Sequence, residues 1–347
     1  AYVNSETDAA HCCGHHAQMA GIFGAALALT VPEIAEKLGG QVVFFATPAE
    51  EYGEIEFKNQ LREQGKIRYG GGKCELIRTG AFDDIDLCLA HHIQPGDEIQ
   101  VGSGTGNGFV SKVIRYLGKA AHAAGAPDKG VNALSAASLG LQALGLNRET
   151  FRDEDCVRVH PIITKGGNLV NVIPDEIVIE TLVRAKTIEA FTDAAKKTDR
   201  SFQAGAVAMG AKVEITTLPG YLPTLAEQAL PELKRAAELA APEVPVREAA
   251  GHSGGSTDVG DVQHLMPVYT FNTGGVKGGL HQINFEVTNE EEAYIDTAKM
   301  FALAAYGLLK EKAARSKELV KNYKPVFKDS AEYTKFMEQF DSKEVLD

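Results

Sequence analysis

The residues from Phe109 to Leu218 carry one uninterrupted pattern. An alternating segment, FVSKVIRYLG, is followed by the small-residue helical stretch GVNALSAASLGLQALG, by the strand patterns CVRVHPIIT and EIVIETLVRA, by the long helical period IEAFTDAAKKTDRSFQAGAVAMG and by a last strand pattern, AKVEITTL. A period of two marks half-buried strands and a period of 3.6 marks amphipathic helices, so the order is βαββαβ. That order is the ferredoxin-like plait, a unit able to close its own core. Turn-forming residues bound it, GSGTGNG (102–108) on one side and Pro219-Gly220 on the other.

On both sides of this unit the pattern changes. MAGIFGAALALTVPEIAEKL has the composition of a buried helix broken near Pro32, and the continuous apolar run Val42–Ala46 predicts a strand covered on both faces. A second buried strand, IDLCLAHHIQPG, ends in His91 and His92 before Pro95. After the plait come the helix LAEQALPELKRAAELAA, the strand PVYTFNTGG and the long helix EEEAYIDTAKMFALAAYGLLK. Helix, strand and polar loop in alternation is α/β grammar, with functional loops gathered at the carboxyl ends of the strands. The expected fold is therefore an α/β domain with a mostly parallel central sheet, residues 1–106 and 219–315, interrupted by a βαββαβ domain at 107–218. Residues 316–347 are expected to form a helical tail.

The chain has 347 residues, enough for about two domains. A formal charge of −12 argues against a nucleic-acid surface, which needs clustered Lys and Arg. No apolar run approaches the ~18 residues of a membrane span, and no export signal opens the chain, so a cytoplasmic protein is expected. Five cysteines at scattered positions are expected to be free thiols.

The chemistry starts in AHCCGHHAQMAG, residues 10–21. A strained Cys12–Cys13 disulfide, a structural zinc knuckle and an accidental run all compete for it. A knuckle needs four Cys/His ligands in paired spacing, which the chain lacks. Cys13 and His15, separated by Gly14, can face one ion, because residues i and i+2 share a side in extended backbone. Glu50-Glu51 at the end of an apolar run is on its own a solvated turn. Beside a metal, one carboxylate can ligate while the other acts as a base toward water. His11, His16, His160 and His264 read as ordinary histidines. His92 closes a buried strand, and His281 follows GGVKGGL.

Together these motifs carry a resemblance. HCCGHHAQMAG is similar to the HACGHD-type motif of the metallopeptidase and amidohydrolase family that includes aminoacylases, hippurate hydrolases, auxin-conjugate hydrolases, glutamate carboxypeptidases and p-aminobenzoyl-glutamate hydrolases. TPAEE, DLCLAHHIQP, GKAAHAAGAPDKGVNAL, GGNLVNVIPDE, GHSGGSTDVGDV and GGLHQINF resemble further family motifs in the same order, nearly from end to end.

The resemblance implies a zinc-peptidase-like catalytic domain and a lid that serves in dimerisation. It implies that Cys13, His15, Glu51, His92 and His281 ligate one or two divalent ions, zinc or manganese first, with cobalt or nickel as alternatives. The positions of Asp86 and Pro95 favour His92 over His91. Glu50 is then the general base. His122 on the lid reaches an active site, that of a partner subunit, and Asn171 with Gly167 holds a substrate carboxylate. The implied substrate is a small N-acyl or N-aroyl amino acid of the p-aminobenzoyl-glutamate kind, with a dipeptidase or carboxypeptidase of the same family as the rival. A degenerate binding or assembly protein is the rival from outside enzymes. Two departures stand out. The family carries a substantial segment before its first motif, whereas Cys13 stands near the start here, and its usual acidic residue after CGH is His16.

Overall fold

A computed structural model describes residues 2–347. The helices are α1 (His15–Leu29), α2 (Pro32–Ala35), α3 (Ile55–Glu63), α4 (Gly72–Arg78), α5 (Ala133–Asn147), α6 (Ile188–Met209), α7 (Pro231–Ala240), α8 (Val259–Gln263), α9 (Thr297–Asn322) and α10 (Ser330–Met337). The principal strands are β1 (Cys88–Ile93), β2 (Ile99–Val101), β3 (Gly108–Leu117), β4 (Arg158–Val159), β5 (Ile162–Lys165), β6 (Glu176–Ala185), β7 (Lys212–Tyr221), β8 (Val246–Glu248), β9 (Val268–Thr273) and β10 (Ser342–Leu346). Two sheets organise them.

The first has the order β8-β2-β9-β1, with β9 parallel to β1, β8 parallel to β2 and an antiparallel join between β9 and β2. Its core brings Ile99, Val101 and Phe271 against Leu233 of α7 and Met300 and Ala304 of α9. Helix α1 lies on α9 through Gly21 and Gly24, where an added Cβ would come within 2.5 Å of Thr297 and 2.6 Å of Ala298. Small residues set that close approach.

The second sheet is antiparallel, with β3 between β7 and β6, and β4 and β5 on the far side of β6. Helices α5 and α6 cover it, and Ile114, Tyr116, Ile177, Ile179, Phe202 and Ile215 fill the space between. The strand order is that of a βαββαβ plait.

Three sequence expectations are corrected. Residues 42–46 form no strand. The sheet ends at β1, no described strand pairs with the run, and Phe45 is stacked on Phe82 at 4.6 Å. An apolar run becomes a strand only where a neighbour takes its backbone hydrogen bonds. Helix α1 is buried on one face only, at Ala17, Gly21, Ala25 and Leu29, while Met19, Phe23 and Leu27 are exposed. The tail is not helical throughout: β10 adds an edge strand to β7, with Val213 opposite Leu346. On its way there the tail buries Tyr333 and Met337, and Asp341 meets Arg62 at 2.7 Å.

Candidate active site

The site forms where α1, the end of β1 and three loops meet. Gly14 starts α1 with a φ of +88°, a backbone state that glycine adopts without penalty. A Cβ there would lie 1.9 Å from Cγ2 of Ile93, so the absence of a side chain lets Cys13-Gly14-His15 settle against the end of β1. His92 precedes Ile93. Its Nδ1–H donates to the Ile93 carbonyl at 2.6 Å, which leaves Nε2 as the acceptor, 3.4 Å from Cys13 Sγ. A carbonyl only accepts, so the tautomer follows from the geometry.

The remaining donors arrive from the loops. His15 Nε2 stands 3.8 Å from Glu50 Oε2 and 3.7 Å from Glu51 Oε1, and His281 Nε2 is 3.2 Å from Glu51 Oε1. Ligand atoms of Cys13, His15 and His92, of Cys13, Glu51 and His281, and of His15, Glu50 and Glu51 lie within 4.8 Å of one another in each group. Two non-glycine residues here adopt left-handed backbone, Ala49 at φ +54° and His281 at +61°. Such strain is held by surrounding contacts and gathers at functional sites. The contacts are visible: Gly72 N–H donates to the Ala49 carbonyl at 3.1 Å, and His281 N–H to the Cys12 carbonyl at 2.7 Å.

Glu50 is held at both ends. Its backbone carbonyl accepts from the Tyr221 hydroxyl, and its Oε1 accepts from the Thr257 hydroxyl at 2.8 Å. Burial, then the charges of Glu51 and Glu50, push the Cys13 thiol up to about 12. Burial also lowers the basicity of His92, partly opposed by its bond to Ile93. A thiol held protonated among carboxylates is a site that gains from a cation.

His91, the rival to His92, turns to the opposite face. Its ring packs at 4.8 Å from that of Phe271, and Nε2 meets the Thr273 hydroxyl at 2.8 Å. His122, Asn171 and Gly167 are all exposed, on loops at the rim of the second sheet. The Ala123 N–H donates to the Asn171 carbonyl at 2.9 Å, and His122 Nδ1 accepts from the Gly125 N–H at 2.9 Å. None of the three lines the cavity formed by this chain's donors. His16 packs beside Tyr294, with ring centroids 5.9 Å apart.

That cavity, about 530 Å³, joins Cys13, His15, Glu50, Glu51 and His281 to a wall of Tyr52, Phe109, Leu182, Arg184 and Tyr221. Arg184 went unnoticed in the sequence. It lies two residues beyond Leu182 on the same face of β6, with its guanidinium over the Phe109 ring at 5.6 Å. Its side chain makes no ion pair among the described residues, and burial lowers its pKa although Tyr221 and Glu51 favour the charge. The period of two identifies that face but not what it overlooks.

Residues 2–306 match the family model described as peptidase family M20/M25/M40. Xaa-Arg dipeptidase of Mus musculus is 28% identical over 325 residues, covering 91% of this chain and 67% of that protein. One chain of the p-aminobenzoyl-glutamate hydrolase of Escherichia coli (strain K12) is 30% identical over 176 residues, 50% of this chain and 32% of that one. The protein thus spans about two thirds of the length of the first of these relatives and about a third of the second. Among solved structures, an aminobenzoyl-glutamate utilization protein of Klebsiella pneumoniae superposes with a TM-score of 0.61 at 20% identity, over 88% of this chain and 70% of that one. A dinuclear metal-binding peptidase of Bacillus subtilis gives 0.56 at 23% identity, over 86% and 73%. These two likenesses carry the fold. The match over most of the chain carries the family: the chain belongs to peptidase family M20/M25/M40, hydrolases of peptide and amide bonds.

Proposed function

We propose that the protein is a metal-dependent amidohydrolase that cleaves N-acyl or N-aroyl amino acids, with Glu50 as general base. One observation carries the reading: four potential ligands and a separately held carboxylate line one cavity, His92 stands behind Cys13, and the arginine that overlooks them has no ion-pair partner among the described residues. The donor set fits a divalent ion. Thiol, imidazoles and carboxylate lie within ligand-sharing distance, and the Ile93 carbonyl holds His92 in the tautomer that ligation needs. Cys13, His15, Glu51, His92 and His281 would hold one or two ions, and the thiolate favours zinc over harder ions such as manganese. A bound ion supplies polarisation of the scissile carbonyl and acidification of the attacking water.

The protein's own groups do the rest. Glu50 takes the proton of the water and returns it to the leaving amine. Arg184 pairs with the free carboxylate of the substrate, and its partial burial strengthens that pairing. Tyr52, Phe109 and Tyr221 wall the cavity. On the rim that holds His122, Asn171 and Gly167, Leu169 and Val170 are exposed, as are Ile162 and Ile163 on β5. An open apolar edge of this kind supports a homodimer through the lid, with His122 stabilising the oxyanion in the partner's site and Asn171 and Gly167 completing its carboxylate contacts. Five cysteines without a disulfide fit the cytoplasm.

A dipeptidase is the second reading, favoured by the Xaa-Arg dipeptidase likeness over 91% of the chain. The test is turnover of N-acetyl, N-benzoyl and p-aminobenzoyl amino acids and of dipeptides by protein stripped of metal and reloaded with zinc, manganese or cobalt, beside Glu50→Gln. Metal-dependent turnover lost in Glu50→Gln with metal content retained supports the proposal, and the best substrate selects between the readings. Metal bound without turnover of any substrate would refute both in favour of a binding protein.

A further inference from the structure

Within the segment GHSGGSTDVGDV, Thr257 donates to Glu50 Oε1 at 2.8 Å. A carboxylate oxygen only accepts, so the single hydroxyl proton of Thr257 is committed to this contact. The backbone that presents it is anchored next door. Asp258 is fully buried, its Oδ1 at 2.6 Å from Lys73 Nζ and its Oδ2 accepting from the Lys73 N–H at 2.9 Å. Lys73 follows Gly72, which bonds the Ala49 carbonyl and whose missing side chain leaves room for the Pro48 carbonyl. Residues 48–50, 72–73 and 257–258 therefore brace one another. Glu50 Oε2, the oxygen not bound to Thr257, is the one on the His15 side, at 3.8 Å from Nε2.

We infer that Thr257 is a positioning residue for Glu50: its hydroxyl occupies one carboxylate oxygen and aims the other at the cluster of potential ligands. The inference rests on the reading of Glu50 as base. A base that must meet one water in one direction loses rate when its carboxylate can rotate, with substrate binding little affected. A threonine that merely packs would be replaced without loss by the isosteric valine.

The test compares Thr257→Val and Thr257→Ser with the native residue in two ways. Crystal structures of the metal-free proteins locate the Glu50 carboxylate. It is expected in place in the native and Ser forms and rotated or split between orientations in the Val form; an unmoved carboxylate in Thr257→Val overturns the inference. Steady-state kinetics of the zinc-loaded proteins are expected to show kcat down ~10–100-fold in Thr257→Val with KM within about twofold, and recovery to within about threefold in Thr257→Ser. Equal bound zinc across the three excludes loss of the metal as the cause. Native kcat in Thr257→Val likewise overturns the inference. Glu50→Gln measured alongside separates the two claims. If it retains turnover, the base assignment is wrong and the crystallographic result alone decides the role of Thr257; if it is inactive while Thr257→Val is not, the positioning claim alone is wrong.

Discussion

Gly14→Ala tests how the site is assembled. Two costs are calculable. An alanine at φ +88° is in left-handed backbone, at about 1–2 kcal/mol. Its Cβ would also lie 1.9 Å from Cγ2 of Ile93, a side chain fully buried at the end of β1. Forcing that overlap into a packed core adds roughly 1–3 kcal/mol. The expected loss is then about 2–5 kcal/mol. Ile93→Ala alone leaves a cavity and costs about 2–5 kcal/mol, but it also removes the clashing methyl. In that background Gly14→Ala should cost only the backbone share, so the two changes couple by about 1–3 kcal/mol. Urea unfolding of the metal-free native, single and double variants measures the cycle. Additivity within about 0.5 kcal/mol, the usual result for independent sites, would refute the close approach as the reason for the glycine. Zinc affinity should fall with stability in Gly14→Ala, because Cys13, His15 and His92 all flank this contact.

Four further outcomes are expected. Burial raises Asp261 to about 8, so the fold holds a proton that the unfolded chain releases near pH 4; stability from this group is full below pH 4 and is lost as pH rises to about 8. Asp261→Asn should therefore gain on the native protein progressively from pH 5 to pH 8 in urea titrations, and a constant difference would contradict the raised carboxyl. Lys112 is 1% exposed and pairs with Asp199 at 2.8 Å between β3 and α6, so Lys112→Ala should cost about 3–5 kcal/mol, while Lys112→Met with Asp199→Leu should be near native by thermal unfolding. Arg184→Gln should raise KM for substrates with a free carboxylate by about 10–100-fold and leave the corresponding amides unaffected, read from initial rates. Chelation should lower the melting temperature, and zinc at about 100 times its Kd should restore roughly 2.7 kcal/mol, followed by calorimetry.

Much of the fold was legible because its signals are local. The βαββαβ order follows from periodicities inside each segment, and β1 and β9 follow from continuous apolar runs. The resemblance picked out Cys13, His15, Glu50, Glu51, His92 and His281, and these converge although they are spread over more than two hundred residues. His91 and His92 differ in the chain only by the alternation of a strand, which sends one ring into the core against Phe271 and the other toward Cys13.

What the sequence by itself determined was therefore the kind and order of the elements and the residue types able to do the chemistry. Tertiary structure decided which faces meet. An apolar stripe states that a surface is costly to leave in water, not what covers it. Thus 42–46 has a strand's composition without a strand's partner, α1 is apolar all round yet packed on one side, and the last residues of a charged tail become an edge strand because β7 has free backbone groups to pair. Arg184 escaped notice, and Thr257 stood in a quoted motif without a role, for the same reason. Each gains its role from a neighbour far away in the chain, Arg184 from the cluster that β6 overlooks and Thr257 from a carboxylate 207 positions earlier, and no periodicity spans that distance.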